Sequence, residues 1–346
     1  MKPLPRRRLG TNGPEITTVG FGAWATGGGG WSFAWGAQDD DASIAAIKHA
    51  VSLGVSWIDT AAVYGLGHSE EVVGRALADI PRAERPLVFT KYGLRWNPAD
   101  PMEVSARDSS PARIREECEA SLRRLGVEAI DLYQFHWPDQ SGTPLADSWG
   151  EMMKLQDQGK LRYIGVSNYT TSLLEGCATL RHVQSLQPPF SLVRRDMAAS
   201  ELPWCREHGT GVIVYSPMQS GLLTDAFSAE RAAALPEEDW RRRSSDFRAP
   251  KLARNLALRD ALQETARRRD TTVAALAVAW TLAWPGVTGA IVGARSPRQV
   301  EGWIGAADRG LSEAERDEIA AAVARTGAGE GPARPPSIPA PAENAR

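Results

Sequence analysis

The sequence predicts an α/β fold, a (β/α)₈ TIM barrel with an N-terminal β-hairpin cap and long upper-face loops, and three observations carry the prediction. Eight short apolar runs have strand character: Thr18–Gly22, Ser56–Asp59, Leu87–Thr90, Leu132–Phe135, Tyr163–Val166, Ser185–Gln187, Val212–Tyr215 and Ala290–Val292. Longer amphipathic stretches alternate with them, which is the rhythm of repeated β-α units around a parallel sheet. The chain has 346 residues, 42% hydrophobic and 24% charged, enough to bury the core of one barrel.

Before the first strand, the segments Arg6–Leu9 and Glu15–Thr18 flank Asn12-Gly13, a hairpin signal that would cap the lower end of the barrel. Helices are expected over 41–53, 69–78, 111–125, 145–158, 272–284, 297–307 and 312–324. The third of these has the clearest punctuation: Ser110-Pro111 opens it, Ile114, Cys118, Leu122 and Leu125 share its inner face, and Gly126 closes it. A long polar excursion from Gln219 to Lys251 follows the seventh strand and reads as a lid or clamp, with an inert insertion as the alternative. Residues 1–326 thus form one domain. Residues 327–346, with five prolines and little to bury, are expected to be a disordered tail.

The composition excludes several classes of function. Forty basic and 42 acidic residues are interspersed, for a net charge of −2, so no nucleic-acid or anionic-membrane surface is expected. The basic N-terminus has no apolar segment behind it, and the longest apolar stretch, Val273–Trp284, is too short to span a bilayer, so a cytoplasmic location is expected. Cys118, Cys177 and Cys205 are widely separated and read as reduced structural thiols. His49, His68, His136, His182 and His208 include no metal-ligand spacing, so no metal is expected. The oligomeric state is left open.

In a barrel of this kind, reactive groups collect at the carboxyl ends of the strands, where side chains converge on a common mouth. Asp59, Lys91 and His136 each follow one of three successive strands, and Tyr64 lies five residues beyond Asp59. Singly, each has an ordinary reading as a helix cap, a solvated charge or a satisfied polar group. Together they fit one task. A phenol, with a reference pKa of about 10, can protonate a carbonyl oxygen if its phenolate is stabilised. Lys91 is expected to lower the Tyr64 pKa, Asp59 to keep Lys91 charged and oriented, and His136 to hydrogen-bond the substrate oxygen.

These residues carry a resemblance. Trp57-Ile58-Asp59-Thr60-Ala61-x-x-Tyr64-Gly65 with Ser69-Glu70-Glu71-x-x-Gly74-x-Ala76-Leu77 resembles the first signature of the aldo-keto reductases. The likeness continues through Phe89-Thr90-Lys91, Phe135-His136-Trp137-Pro138-Asp139, Ile164 to Asn168, Val214 to Pro217, Gly221-Leu222-Leu223 and Gly293-Ala294-Arg295. It implies a TIM barrel that reduces an aldehyde or ketone to an alcohol, with a catalytic tetrad of Asp59, Tyr64, Lys91 and His136. The implied cofactor is NADP(H), with NAD(H) as the alternative, bound without a Rossmann domain. By position, Ser167, Asn168 and Gln187 would hold the nicotinamide carboxamide and Tyr215 would stack on its ring. Ser216, Pro217, Gly221 and Leu223 would meet the pyrophosphate. Gly293, Ala294, Arg295 and Gln299 would surround the 2′-phosphate, for which an arginine fork is suited. The family often has Glu-Asn for the adenine where this chain has Gly302-Trp303, and Met218-Gln219-Ser220 follows Pro217 where relatives commonly have Leu.

Gly20-Phe21-Gly22-Ala23-Trp24-Ala25 fits a G-x-G-x-x-A dinucleotide fingerprint, but it runs into Gly27-Gly28-Gly29-Gly30 and not into a helix, so the Rossmann reading is rejected. Gly22, Ala23 and Trp24 are instead expected to line the mouth beside cofactor or substrate. Of the 12 tryptophans, Trp24, Trp31, Trp35, Trp96 and Trp137 fall in upper-face loops. Trp24, Trp96 and Trp137, with Tyr64 and His136, are the expected substrate contacts. An aromatic cleft or a surface for stacking sugars both fit. Two other readings remain: a physiological alcohol or sugar dehydrogenase, and a cofactor-binding redox sensor like the β subunits of voltage-gated potassium channels, which resemble this family.

Overall fold

The computed structural model describes residues 3–308 and 310–337. Eight parallel strands close into a barrel: β1 (Val19–Gly22), β2 (Trp57–Asp59), β3 (Leu87–Tyr92), β4 (Ile130–Phe135), β5 (Leu161–Ser167), β6 (Ser185–Gln187), β7 (Gly211–Val214) and β8 (Val287–Gly293). Each of the eight expected runs contributes one. Closure is made by β8 against β1, with Ile291 opposite Gly20 and Gly293 opposite Gly22.

Strand side chains alternate between two environments because successive Cβ atoms point to opposite faces of the sheet. Phe21, Ile58, Val88, Tyr133, Phe135 and Val166 face outward into the large core shared with the helices. Trp57, Phe89, Leu132, Ile213 and Ile291 face inward and pack with Leu9 and Ile16 at the barrel's lower end. Trp57 is the centre of that plug, and its indole Nε1 donates to the Thr17 carbonyl at 2.8 Å. Burying such a ring, about 200 Å², stabilises the fold by on the order of 5 kcal/mol. Gly20 makes room for it: a Cβ there would lie 2.2 Å from the indole.

The N-terminal hairpin forms as expected, with Arg6 opposite Thr17 and Arg8 opposite Glu15. Its turn is not a two-residue Asn-Gly turn. The chain loops over residues 9–14, with Gly13 N–H donating to the Leu9 carbonyl, and this longer path drives Leu9 into the barrel plug. All seven expected helices are present, and Pro111–Leu125 ends as predicted with Gly126 left-handed at φ 64°. Helices Thr171–Ala178, Glu201–His208 and Lys251–Arg268 were not anticipated. The last has an inner stripe of Leu258, Leu262 and Ala266, but Pro250 precedes it with no side-chain cap to announce it.

The expected disordered tail does not begin at Gly327. Arg195, nearly buried, donates to the carbonyls of Ala328 and Gly331, and Arg334 pairs with Glu313 and Asp317, so residues 327–337 are tied to the barrel. A composition-based reading misses this because the acceptors are backbone carbonyls. Residues 338–346 lie outside the described residues. Among the described residues, no helix is long and apolar enough to cross a membrane and no His, Cys, Asp and Glu cluster could hold a metal ion.

Candidate active site

Asp59 is the last residue of β2 and Lys91 the fifth of β3, both on the inward register, and both are almost fully buried at the upper end of the barrel. Lys91 Nζ donates to Asp59 Oδ1 at 2.5 Å, to the Thr60 carbonyl at 2.8 Å and to the Tyr64 hydroxyl at 3.3 Å. Gln187 Nε2 donates to the other carboxylate oxygen, Asp59 Oδ2, at 2.8 Å. Tyr64 is aimed into this group by a tight turn in which Gly65 and Leu66 are left-handed, at φ 60° and 57°. A Cβ on Gly65 would strike the Gly27 carbonyl at 2.2 Å, so glycine is required where the two loops meet. His136 stands edge-on to the Tyr64 ring, centroids 5.6 Å apart, and its Nδ1 is buried without a partner.

Burial dominates the electrostatics. It pushes the Lys91 pKa down and the Asp59 pKa up, while their contact holds both toward the charged form. The Tyr64 pKa lies well above the usual phenol value because burial, reinforced by the Asp59 charge, disfavours the phenolate. The expectation that Lys91 lowers it is therefore corrected: loss of hydration outweighs one ammonium that is itself neutralised by a carboxylate. Burial, helped by Lys91 and Arg107, holds His136 well below the usual imidazole range, so the ring is neutral.

Beside Asp59 and Tyr64 opens a cavity of about 430 Å³. Of the residues expected at a cofactor, Gly22, Trp24, Tyr215, Ser216, Pro217, Gly221, Gly293, Ala294, Arg295 and Gln299 line it, and Asp59 of the tetrad lines it with them. Ala23 and Leu223 do not: both are fully buried, Ala23 through its N–H bond to the Asp59 carbonyl and Leu223 in the main core. Ser167, Asn168 and Gln187 form a linked set behind the lining. Ser167 Oγ donates to the Gln187 carbonyl at 2.7 Å, Asn168 Nδ2 donates to the His136 carbonyl at 2.9 Å, and the Tyr215 hydroxyl donates to Asn168 Oδ1 at 2.8 Å. Asn168 holds a left-handed φ of 60° to do so.

Of the expected substrate contacts, Trp24 and Tyr64 line the cavity and stack on one another, centroids 5.9 Å apart. Trp96 packs with Trp31, Ala61 and Val63 in the cluster around Tyr64 and also lines a separate depression on its other side. Trp137, next to His136, lies beneath the Arg107 guanidinium. Trp240, from the 219–251 excursion, stacks on Trp24 at 5.1 Å and meets Trp35 edge-on, and its backbone N–H donates to the Ala34 carbonyl. The excursion thus reaches across the β1 loop, and Ser220, Gly221 and the residues from Thr224 to Phe227, with Arg231 and Arg241, form one wall of the cavity. These individual residues were not legible: the segment's length marks it, but it has no periodicity to assign side chains.

The lining fits a nicotinamide dinucleotide. Tyr215 and the bare backbone of Gly22 and Gly293 line it, and Arg295 and Gln299, also in the lining, lie at the start of helix Pro297–Ile304, a favourable place for a phosphate. Arg231 adds a cation with no carboxylate partner among the described residues, whereas Arg241 is neutralised by Asp239 at 2.6 Å. Arg295 Nε donates to Gln38 Oε1 at 2.5 Å and its Nη2 to the Ala37 carbonyl.

Fold and site together define a barrel oxidoreductase of the nicotinamide-dependent class. The chain belongs to the aldo/keto reductase family, whose family model matches residues 18–324. Aldo-keto reductase YhdN of Bacillus subtilis is 35% identical over 85% of this chain and 86% of its own length. The NADH-specific methylglyoxal reductase of Escherichia coli is 33% identical over 91% of this chain and 96% of its own. Among solved structures, the glycerol dehydrogenase of Gluconobacter oxydans superposes with a TM-score of 0.84 at 38% identity, covering 98% of this chain and 99% of that one. The holo form of an aldo-keto reductase from Bacillus halodurans gives 0.75 at 26% identity over 92% and 96% of the two chains. The chain is accordingly an enzyme of this family, acting at the carbonyl and alcohol level.

Proposed function

We propose that the protein is an NADP(H)-dependent reductase of small aldehydes or ketones, with Tyr64 as the proton donor. The observation that carries this reading is the three-centre contact of Lys91 with Asp59, Thr60 and Tyr64 at the wall of the cavity. The bound cofactor supplies the hydride that adds to the carbonyl carbon. Tyr64 gives its phenolic proton to the carbonyl oxygen, and the raised pKa means the phenol is loaded with that proton throughout the neutral range. Lys91 stabilises the phenolate as it forms, and Asp59 and the Thr60 carbonyl fix the ammonium for that purpose. Neutral His136 presents a ring nitrogen to the substrate oxygen without competing for the proton. Tyr215 and the Ser167–Asn168–Gln187 set orient the nicotinamide, with Gln187 linking that set to Asp59. In the opposite direction the same groups oxidise an alcohol.

NADP(H) is favoured over NAD(H) by Arg295 at a helix start with Arg231 nearby, although a relative named for NADH specificity shows that the family uses both. A cytoplasmic location accords with three buried, free cysteines. The experiment is Tyr64→Phe. Carbonyl reduction should fall by at least about 10²-fold, the scale of a lost general acid, while cofactor still quenches tryptophan fluorescence. Reduction at the parent rate would refute the assignment.

A further inference from the structure

We propose that Arg107 is an anion-binding residue of the substrate site, so that the preferred substrates are small aldehydes or ketones carrying a carboxylate or a phosphate. The inference rests on the reading above, which puts the reacting carbonyl between Tyr64 and His136. Arg107 is raised over that end of the barrel by a two-stranded turn after β3, Leu94–Arg95 against Ala106–Arg107. Its guanidinium carbon lies 4.4 Å from the ring centroid of Trp137, the residue that follows His136. Its charge is felt by the His136 imidazole.

Among the described residues no carboxylate comes within ion-pair distance of the Arg107 guanidinium and none of its N–H groups donates to a protein acceptor. The neighbouring carboxylates are committed elsewhere. Asp108 Oδ1 accepts from Ser110 N–H, and Asp139 accepts the backbone N–H groups of Ser109, Ser141, Gly142 and Thr143. Of the other cations close to the site, Lys91 is neutralised by Asp59 and Arg241 by Asp239, while Arg231 and Arg295 line the cavity assigned to the cofactor. Arg107 is half-buried and set over an indole, and its donors are unused among the described residues. A planar fork presented in this way matches the two oxygens of a carboxylate or phosphate. Trp24, Trp31 and Trp96 pack with Tyr64 in an apolar cup that offers an anionic group no partner.

The test compares matched pairs of substrates that differ in the anionic group, succinic semialdehyde against butyraldehyde and glyceraldehyde 3-phosphate against glyceraldehyde, with saturating cofactor. Wild type, Arg107→Lys and Arg107→Gln are assayed together. Wild-type kcat/KM should favour the charged member of at least one pair by about 10-fold or more, the scale of one charge-assisted hydrogen bond. Arg107→Gln should abolish that preference while leaving the neutral member within about threefold, and Arg107→Lys should keep part of it. The pair that shows the effect identifies the anion as carboxylate or phosphate. Equal use of charged and neutral members by the wild type, or an equal loss on both in Arg107→Gln, would overturn the proposal. If the wild type reduces no carbonyl at all, the reading beneath it fails, and calorimetric binding of succinate and of inorganic phosphate decides the subsite alone. Binding lost in Arg107→Gln supports it, and binding that is absent or indifferent to the substitution overturns it.

Discussion

Replacing Lys91 with methionine isolates the part of the site that stabilises the phenolate. The ammonium stands 3.3 Å from the Tyr64 hydroxyl. Between full unit charges at that distance, and with an effective dielectric constant of about 20, the attraction is about 5 kcal/mol. A transition state with the proton about half transferred would use roughly half of it, so the chemical step should slow by about 10²-fold. The loss should be larger still in the single variant, because Asp59 is left as a buried anion that opposes the phenolate. Removing one partner of such a pair also costs about 3–5 kcal/mol of stability. The double variant Asp59→Asn/Lys91→Met removes both charges and should therefore be more stable than Lys91→Met, and faster, while remaining slower than the wild type. The measurements are the single-turnover rate of cofactor oxidation, which excludes product release, and the urea midpoint of each protein. A single variant within about threefold of the wild-type rate would refute the assignment of phenolate stabilisation to Lys91. A double variant no more stable than the single one would refute the charge argument.

Two further outcomes test other parts of the structure. Arg295→Gln should lower kcat/KM for NADPH by about 10- to 100-fold and leave NADH within about threefold, since a charge-assisted bond to a phosphate is worth about 1.5–3 kcal/mol. Equal losses with both cofactors would remove the 2′-phosphate from Arg295. Glu117, buried under β3 and bonded to Gly93 N–H and Arg113, has its pKa raised by burial from 4.5 to about 7. Because the folded value exceeds the unfolded one, the folded state binds the proton more tightly, and this contribution is complete below about pH 4.5 and lost as pH rises through about 7. The stability of wild type relative to Glu117→Gln should thus fall by about 3 kcal/mol between those values and stay level above them. Urea midpoints that change in parallel for the two proteins across that window would show that Glu117 titrates normally.

The barrel was legible because its strands are short apolar runs at regular spacing, and the tetrad because Asp59, Lys91 and His136 close three successive strands. Elements held by tertiary contact were not. Helix Lys251–Arg268 has no capping residue, and the order of 327–337 depends on Arg195, more than 130 positions away in the chain. The site divides in the same way. Positions fixed to the strand ends, such as Gly22, Tyr215 and Gly293, fall on the cavity, whereas Ala23 and Leu223, read from motif position alone, turn into the core. Trp240 and Arg107 escaped notice because each matters through a ring stacked on a residue far along the sequence or on another loop.

The sign of the Tyr64 shift shows why the electrostatics of such a site do not follow from its residue types. Listing Lys91 beside a phenol suggests a lowered pKa, yet the same barrel end that brings them together buries the ammonium, reduces the hydration of the phenol and pairs Lys91 with Asp59. For a reductase this is the useful outcome. A phenol already ionised at neutral pH would have no proton to give, whereas one kept neutral by burial is always loaded. When that proton leaves for the substrate, the attraction of Lys91 for the new phenolate acts through the same water-poor surroundings and is stronger for it. Burial therefore holds the acid in reserve and strengthens the group that stabilises its conjugate base. Trp240 stacked on Trp24, and Trp24 on Tyr64, cover part of the phenol ring at this end of the cavity.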